Sequence, residues 1–286
     1  IYSETKKIVP MNVKLDLTIA KICNIYEKPF SATDEIVRDH DHFTGIFRGF
    51  AHSICNLKFR KQVVVPVVVQ NLSGYDSHFL IKILGKEGNL SILPINKEKY
   101  ISFTPHITDI DIKFRYIDSY RFLGASLDQL VSSMTKENLH ILKSQFRDVN
   151  EDKFQLLTCK GVFCYDYIDK LEKLQETILP SKDYFYNKLE DIHIDDEKYK
   201  HALNVWHSFN IKTLGEYSDL YLKTDVLLLA DVFEQFRTNC ISTHNLDPSW
   251  YFTMPGYTWD CMLKYTKCKL ELLRDVDKIM FIEQDI

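Results

Sequence analysis

The chain has 286 residues, of which 45 % are hydrophobic and 27 % charged, with a formal net charge of −4. That length suits one large folded domain or two smaller ones, and the apolar content excludes a disordered chain. The acidic balance does not advertise a nucleic-acid binder, and no run approaches about eighteen uninterrupted apolar residues, so no membrane span is expected.

The seven cysteines are sparse and odd in number, which reads as reduced thiols in a cytosolic or nuclear setting. The segment Ile1-Tyr2-Ser3-Glu4-Thr5-Lys6-Lys7 has no apolar signal core and no initiator Met, so the chain is expected to begin inside a longer protein. Charge is uneven. Lys58, Arg60 and Lys61 cluster together, and 183–197 is acid-rich; a local basic patch can serve DNA while the whole stays acidic.

In chain order, residues 1–62 are expected to be loop-rich. From Val63 the character changes. The run Val63-Val64-Val65-Pro66-Val67-Val68-Val69 reads as a buried strand with Pro66 at its start or at a bulge. Asn71 to Gly74 is turn chemistry, and Asp76 or Ser77 then caps a helix over 77–84 with Phe79, Leu80, Ile83 and Leu84 inward. Strands are expected at 90–95, 100–103 and 112–117, and Ser126 starts a helix carrying Leu127, Leu130, Val131 and Met134 on one face. Beyond Lys136 the pattern reads as mostly helical, with helices from Asp195 to about Phe209, from Glu216 to about Cys240 and, after a break at Pro255-Gly256, over 257–265. The fold class is therefore α/β followed by a helical region, with a small irregular module in front. Domain boundaries are expected at 1–62, 63–245 and 246–286.

Two short motifs carry the chemistry. Asn71-Leu72-Ser73-Gly74-Tyr75-Asp76 follows the apolar strand, and a strand-to-helix corner presents a side chain at the open end of a sheet. Tyr221-Leu222-Lys223-Thr224-Asp225 opens a long helix, where Tyr221 and Asp225, four apart, share a face. Phosphodiester hydrolysis by two metals needs carboxylates holding cations about 4 Å apart. Asp225 and Asp76 are candidate ligands, and the Tyr221 hydroxyl is placed to orient water. Taken singly, Asp76 is as readily a helix cap and Tyr-x-x-x-Asp a common spacing; their joint order is the signal.

These motifs resemble the second and third exonuclease motifs of family B DNA polymerases. The closer resemblance is to the protein-primed polymerases of Maverick/Polinton transposons and related viruses. It is carried by 67–78, Tyr116 to Leu123 with Ser126 to Leu130, Lys160 to Tyr167, Gly215 to Ala230, and Tyr257-Thr258-Trp259-Asp260. The resemblance implies a ribonuclease H-like exonuclease fold over 63–245 and a helical lead-in to a palm domain beyond it. It implies that Asp76, Tyr221 and Asp225 are catalytic, that Asp76 and Asp225 bind Mg²⁺, and that Asn71 and Tyr75 contact a frayed 3′ end. Ser119 would be a further single-strand contact, or simply end a strand. The implied partners are DNA, as a single-stranded 3′ end and a primer-template, and a terminal protein primer.

The family's first exonuclease motif, Asp-x-Glu, is not found before Asp76, and its palm motifs are absent. The chain is therefore expected to be an internal piece of a polymerase with an incomplete sheet. With two of four carboxylates it is expected to have no exonuclease or polymerase activity alone.

The front module holds Cys23-Asn24-Ile25-Tyr26, Asp39-His40-Asp41-His42 and His52-Ser53-Ile54-Cys55-Asn56. In the polymerase family this insertion usually reads Cys-x-x-Cys, a His-rich stretch and His-x-x-Cys, a pattern suited to tetrahedral Zn²⁺. Tyr26 replaces the second Cys, leaving a degenerate set of Cys23, His52 and Cys55. The segment also resembles an HNH-type nuclease, with Asp39, His40, His42 and Asn56 at the metal and base positions. Two alternatives to the exonuclease region thus stay open: a non-catalytic DNA-binding remnant of a transposon polymerase, and an HNH-type endonuclease at 23–56.

Overall fold

The computed structural model describes residues 10–11, 15–41, 44–58, 63–74, 76–86, 89–96, 99–108, 112–189 and 191–270; of Lys58 and Asp76 only the backbone is described. The chain divides into two compact units, Ile1–Val63 and Val64–Ile286.

The first unit is more regular than its sequence suggests. Strands β1 (Ile36–His40) and β2 (Phe47–His52) form an antiparallel hairpin, and helix α1 (Ser53–Lys58) follows directly. Ahead of the hairpin lies a tight turn, in which Glu27 N–H donates to Cys23 O at 2.8 Å and Cys23 N–H donates to Lys28 O at 2.9 Å. The turn is tied to the hairpin by Asn24 N–H donating to Phe50 O at 2.8 Å. Gly49 makes that approach possible, since a Cβ there would lie 2.6 Å from the Asn24 Cβ. Asp39 is buried and held by Nε and Nη2 of Arg48 and by Asn24 Nδ2, a charge-assisted fork that offsets the cost of burying a carboxylate.

The second unit opens with β3 (Val63–Val69), the edge of a four-stranded sheet ordered β3-β6-β5-β4. The other strands are β4 (Leu90–Pro94), β5 (Tyr100–Ile107) and β6 (Ile112–Asp118). The sequence reading made β3 a buried strand with Pro66 at its start or at a bulge. Instead Pro66 sits mid-strand, exposed, with half-buried valines around it. An edge strand explains this, because a missing N–H is harmless where no neighbour needs it. Helix α2 (Asp76–Leu84) follows, but Phe79 and Ile83, expected inward, are 69 % and 63 % exposed. β5 and β6 are antiparallel and bound by a stacked Phe103–Tyr116 pair at 4.5 Å and by Ser102 Oγ donating to Tyr116 O at 2.6 Å.

Short helices come next: α3 (Leu127–Ser132), α4 (His140–Gln145) and α5 (Glu151–Gln155). Ser126 starts α3 through a capping box with Gln129. From about residue 156 to 195 the chain is not mostly helical, as its pattern suggested, but runs through 3₁₀ turns at Tyr165–Tyr167, Leu171–Gln175 and Lys182–Phe185. Helix α6 (Asp196–Ser208) is capped by Asp195. Helix α7 (Leu214–His244) spans 31 residues, about 46 Å at 1.5 Å per residue. Thr213 caps its start and left-handed Asn245 its end. Helix α8 (Met254–Thr266) takes Pro255 and Gly256 into its first turn rather than breaking before it, since a proline lacks only an N–H that this turn leaves unpaired anyway.

Helix α7 is the spine of this unit. Leu214 and Tyr217 pack with Trp206, Phe185 and Leu179; Leu228 and Val232 pack with Leu127, Leu142 and Phe154; Phe233 and Cys240 pack with Ile117, Phe122 and Tyr257. Each such buried side chain contributes about 1.5–3 kcal/mol, so three clusters in series fix α7 along its length. That fixes the direction in which Tyr221 and Asp225 point. No described helix is long and apolar enough to cross a membrane.

Candidate nucleic-acid and metal sites

The cleft beside α7 is built from a loop and a helix face. Lys160, Gly161, Phe163 and Tyr165 come from the irregular stretch, Asp128 from α3, Lys198 from α6 and Tyr221 from α7; with Tyr186 and His193 they line a cavity of about 510 Å³. Phe163 stacks on Tyr221, with ring centres 5.3 Å apart and 23° between planes. Gly161 lets the ring lie flat against the loop, because a Cβ there would meet Tyr221 Cδ2 at 3.2 Å. Tyr165 donates its hydroxyl hydrogen to the Tyr221 hydroxyl at 2.8 Å, and the Tyr221 hydroxyl in turn faces the Asp225 carboxylate. Burial, then the Tyr165 bond and the Asp225 charge, push the Tyr221 phenol well above its ordinary range, so it stays protonated.

Asp225 sits one turn further along the same face. Among the described residues its Oδ1 is buried without a hydrogen-bond partner. Burial raises its pKa; the Lys160 charge and the Tyr221 hydroxyl oppose that rise, and the Asp128 charge adds to it. A buried carboxylate oxygen left bare, close to a lysine and a second carboxylate, is an arrangement found at functional sites as well as in structural charge networks.

The other residues of the first motif behave differently. Asn71 is exposed with φ 55°, a left-handed conformation that asparagine tolerates in turns, and its side chain lies over Gly74. Tyr75 lies outside the described residues. Asp76 is the first residue of α2, the helix that follows β3 in the chain. Ser119 is fully buried, and its hydroxyl donates to Val69 O at 3.2 Å and to Gln70 Oε1, which ties the end of β6 to β3. Sequence reasoning passed over Lys160, Phe163, Tyr165 and Asp128 as site residues. The alternation Phe163, Tyr165, Tyr167 after Lys160-Gly161 was the available signal.

In the first unit, one ligand atom each of Cys23, His52 and Cys55 lies within 4.8 Å of the others. Among the described residues these are the group of three or more His, Cys, Asp or Glu side chains placed to share an ion. Backbone N–H groups of His52, Tyr26 and Ile25 converge on the Cys23 sulfur, and although burial opposes them they bring its pKa down to about 7. Tyr26 is 57 % exposed. Of the HNH-like set, Asp39 is committed to Arg48 and Asn24, as above, His40 and Asn56 are half-buried, and His42 lies outside the described residues.

The geometry of the second unit, a helix-borne Tyr-x-x-x-Asp pair beside an aromatic and lysine-lined cleft, leaves the class of protein open. The family comparison narrows this: the chain belongs to the type B DNA polymerases of the organellar and viral kind, whose family model matches residues 57–280. It is also similar to a protein of Kluyveromyces lactis named DNA polymerase, 25 % identical over 173 residues, which cover 60 % of this chain and 16 % of that protein. The aligned stretch is thus a small part of that relative. No solved structure matches the chain.

Proposed function

We propose that the second unit is the 3′–5′ exonuclease region of a type B DNA polymerase and that the cleft over Tyr221 receives a single-stranded 3′ end. The observation that carries this reading is the bare, buried Asp225 Oδ1 next to Tyr221. Exposed Tyr165 and the Tyr186 ring offer stacking platforms, worth about 1–3 kcal/mol per base, and Lys160 and Lys198 offer charge to the phosphates. In the parent enzyme Asp76, Tyr221 and Asp225 would act together, with Asn71 and Tyr75 near the strand end. A terminal protein primer and a transposon or viral origin fit the same lineage.

Divalent cations, when bound, supply an activated water and stabilise the leaving oxygen. The described donor set beside Tyr221 fits one cation contact, the free Asp225 oxygen. The protein's own part is to hold that carboxylate and to keep Tyr221 protonated as a hydrogen-bond donor. Without an Asp-x-Glu strand before Asp76 in this chain, digestion by the chain alone is not expected.

The test is binding of a labelled single-stranded oligonucleotide by anisotropy, with and without Ca²⁺. Wild type should bind more tightly with Ca²⁺. Asp225→Asn should bind more tightly than wild type without the cation, because a repelling charge is gone, and should lose the response. An equal Ca²⁺ response in both would sink the site assignment. Mg²⁺-dependent 3′–5′ digestion by the purified chain would overturn the inactivity of the chain alone.

A further inference from the structure

The first unit gathers three donors in one place and holds one of them from behind. Cys55 Sγ stands 3.7 Å from His52 Nδ1. Zinc bonds of about 2.0–2.3 Å at tetrahedral angles set neighbouring donors roughly 3.5–3.8 Å apart, so this separation suits two ligands of one ion. Cys23, fully buried, completes the triangle from the turn that precedes the hairpin. On its far side the His52 ring is already committed: Nε2 lies 3.1 Å from Asp34 Oδ2. That bond selects the tautomer with the proton on Nε2 and leaves the Nδ1 lone pair facing Cys55. Asp34 is itself held, accepting from Ser31 N–H at 2.6 Å, and Phe30 packs edge-on to the His52 ring at 4.7 Å. So the imidazole is oriented by groups that are not ligands.

Tyr26 occupies the position two beyond Asn24 where a further thiolate would close the tetrahedron. It does not take that role, because its ring lies against Lys28 Nζ at 4.7 Å and is mostly exposed. For the zinc set that the resemblance implies, Cys23, His52 and Cys55, we propose that His52 ligates through Nδ1, that Asp34 is the positioning residue for His52, and that, with no fourth donor grouped there among the described residues, the fourth coordination position is open to water. This is independent of the exonuclease reading, since every residue named lies in the first unit.

The competing arrangement is a plain thiol–imidazole hydrogen bond with no metal. Titration of the reduced, metal-stripped full chain with Co²⁺ separates the two. A site with two thiolates and one imidazole gives thiolate-to-cobalt charge-transfer absorption in the near ultraviolet and visible d–d bands, saturating at one equivalent and abolished by Zn²⁺. Asp34→Asn should keep the spectrum and weaken affinity about 10–100-fold, and Asp34→Glu should recover part of the loss. Tyr26→Cys should tighten binding and intensify the charge-transfer band as a third thiolate enters. Circular dichroism of the metal-free proteins checks that each variant folds as wild type does. No thiolate band at one equivalent overturns the site. Wild-type affinity in Asp34→Asn overturns the positioning role, and an unchanged spectrum in Tyr26→Cys overturns the open fourth position.

Discussion

Two carboxylates six residues apart on α7 have opposite surroundings. Asp231 is 3 % exposed, and both its oxygens are used, accepting from Ile141 N–H at 2.7 Å and Leu142 N–H at 2.8 Å. It satisfies the orphan amides at the start of α4, and negative charge is favoured there. Asp225 is less buried, yet among the described residues its Oδ1 has nothing. The first carboxylate is part of the architecture; the second, in the function proposed above, is free to meet a cation. What sets the two apart is the state of their oxygens and not the depth of their burial.

The sharpest way to break this contrast is Asp231→Ala. It leaves two helix-start amides without an acceptor in a dry interior, a loss of about 3 kcal/mol. With roughly 2–4 °C per kcal/mol for a domain of this size, the melting temperature should fall by about 10 °C. A fall of only a degree or two would mean that α4 does not depend on Asp231. A smaller loss, about 2 kcal/mol in chemical denaturation, is expected for Asp118→Ala. Asp118 is fully buried and accepts from Tyr120 N–H at 3.0 Å and from Ser73 N–H and Oγ at longer range. It belongs with Asp231 as a strut, this time between β6 and the turn after β3. Tyr165→Phe removes the hydrogen bond to Tyr221 in a partly open cleft and should cost about 0.5–1 kcal/mol, read by the same denaturation; a loss near that of Asp231→Ala would make the aromatic wall structural.

The sequence showed the regular parts and one of the two features that make the site. Ser126, Asp195 and the β-branched run Val63–Val69 announce their elements because capping and strand chemistry are local. Tyr221 and Asp225 share a face because the helix period forces it. Edge or interior placement of β3, the exposure of Phe79 and Ile83, and the helical fate of Pro255-Gly256 depend on what packs alongside, which no local pattern records. The same holds for 156–195, where aromatic anchoring on α7 replaces helix formation. Asp34 and Lys160 could not be placed from sequence for that reason: each lies beside a partner distant in sequence, His52 in one case and Asp225 in the other. The cysteine and histidine spacings were legible, and the proximity of Cys23, His52 and Cys55 is what the structure added.

The smallest effect is also the most discriminating. Asp225 has a raised carboxylate pKa in the folded chain, from burial first. An acid whose folded pKa lies above its unfolded value binds its proton more tightly when folded, so its charge works against folding as pH rises through that interval and at every higher pH. Asp225→Asn removes the penalty. The variant should match wild type near pH 3–4, close to the ordinary carboxylate range, and become slightly the more stable of the two as pH approaches neutrality, a change opposite in sign to the loss expected for Asp231→Ala. Added Mg²⁺ or Ca²⁺ should narrow the neutral-pH gap by stabilising only the protein that still has its carboxylate. If Asp225→Asn instead destabilises at pH 7, the bare oxygen has an unseen structural partner, and α7 carries two struts rather than a strut and a site.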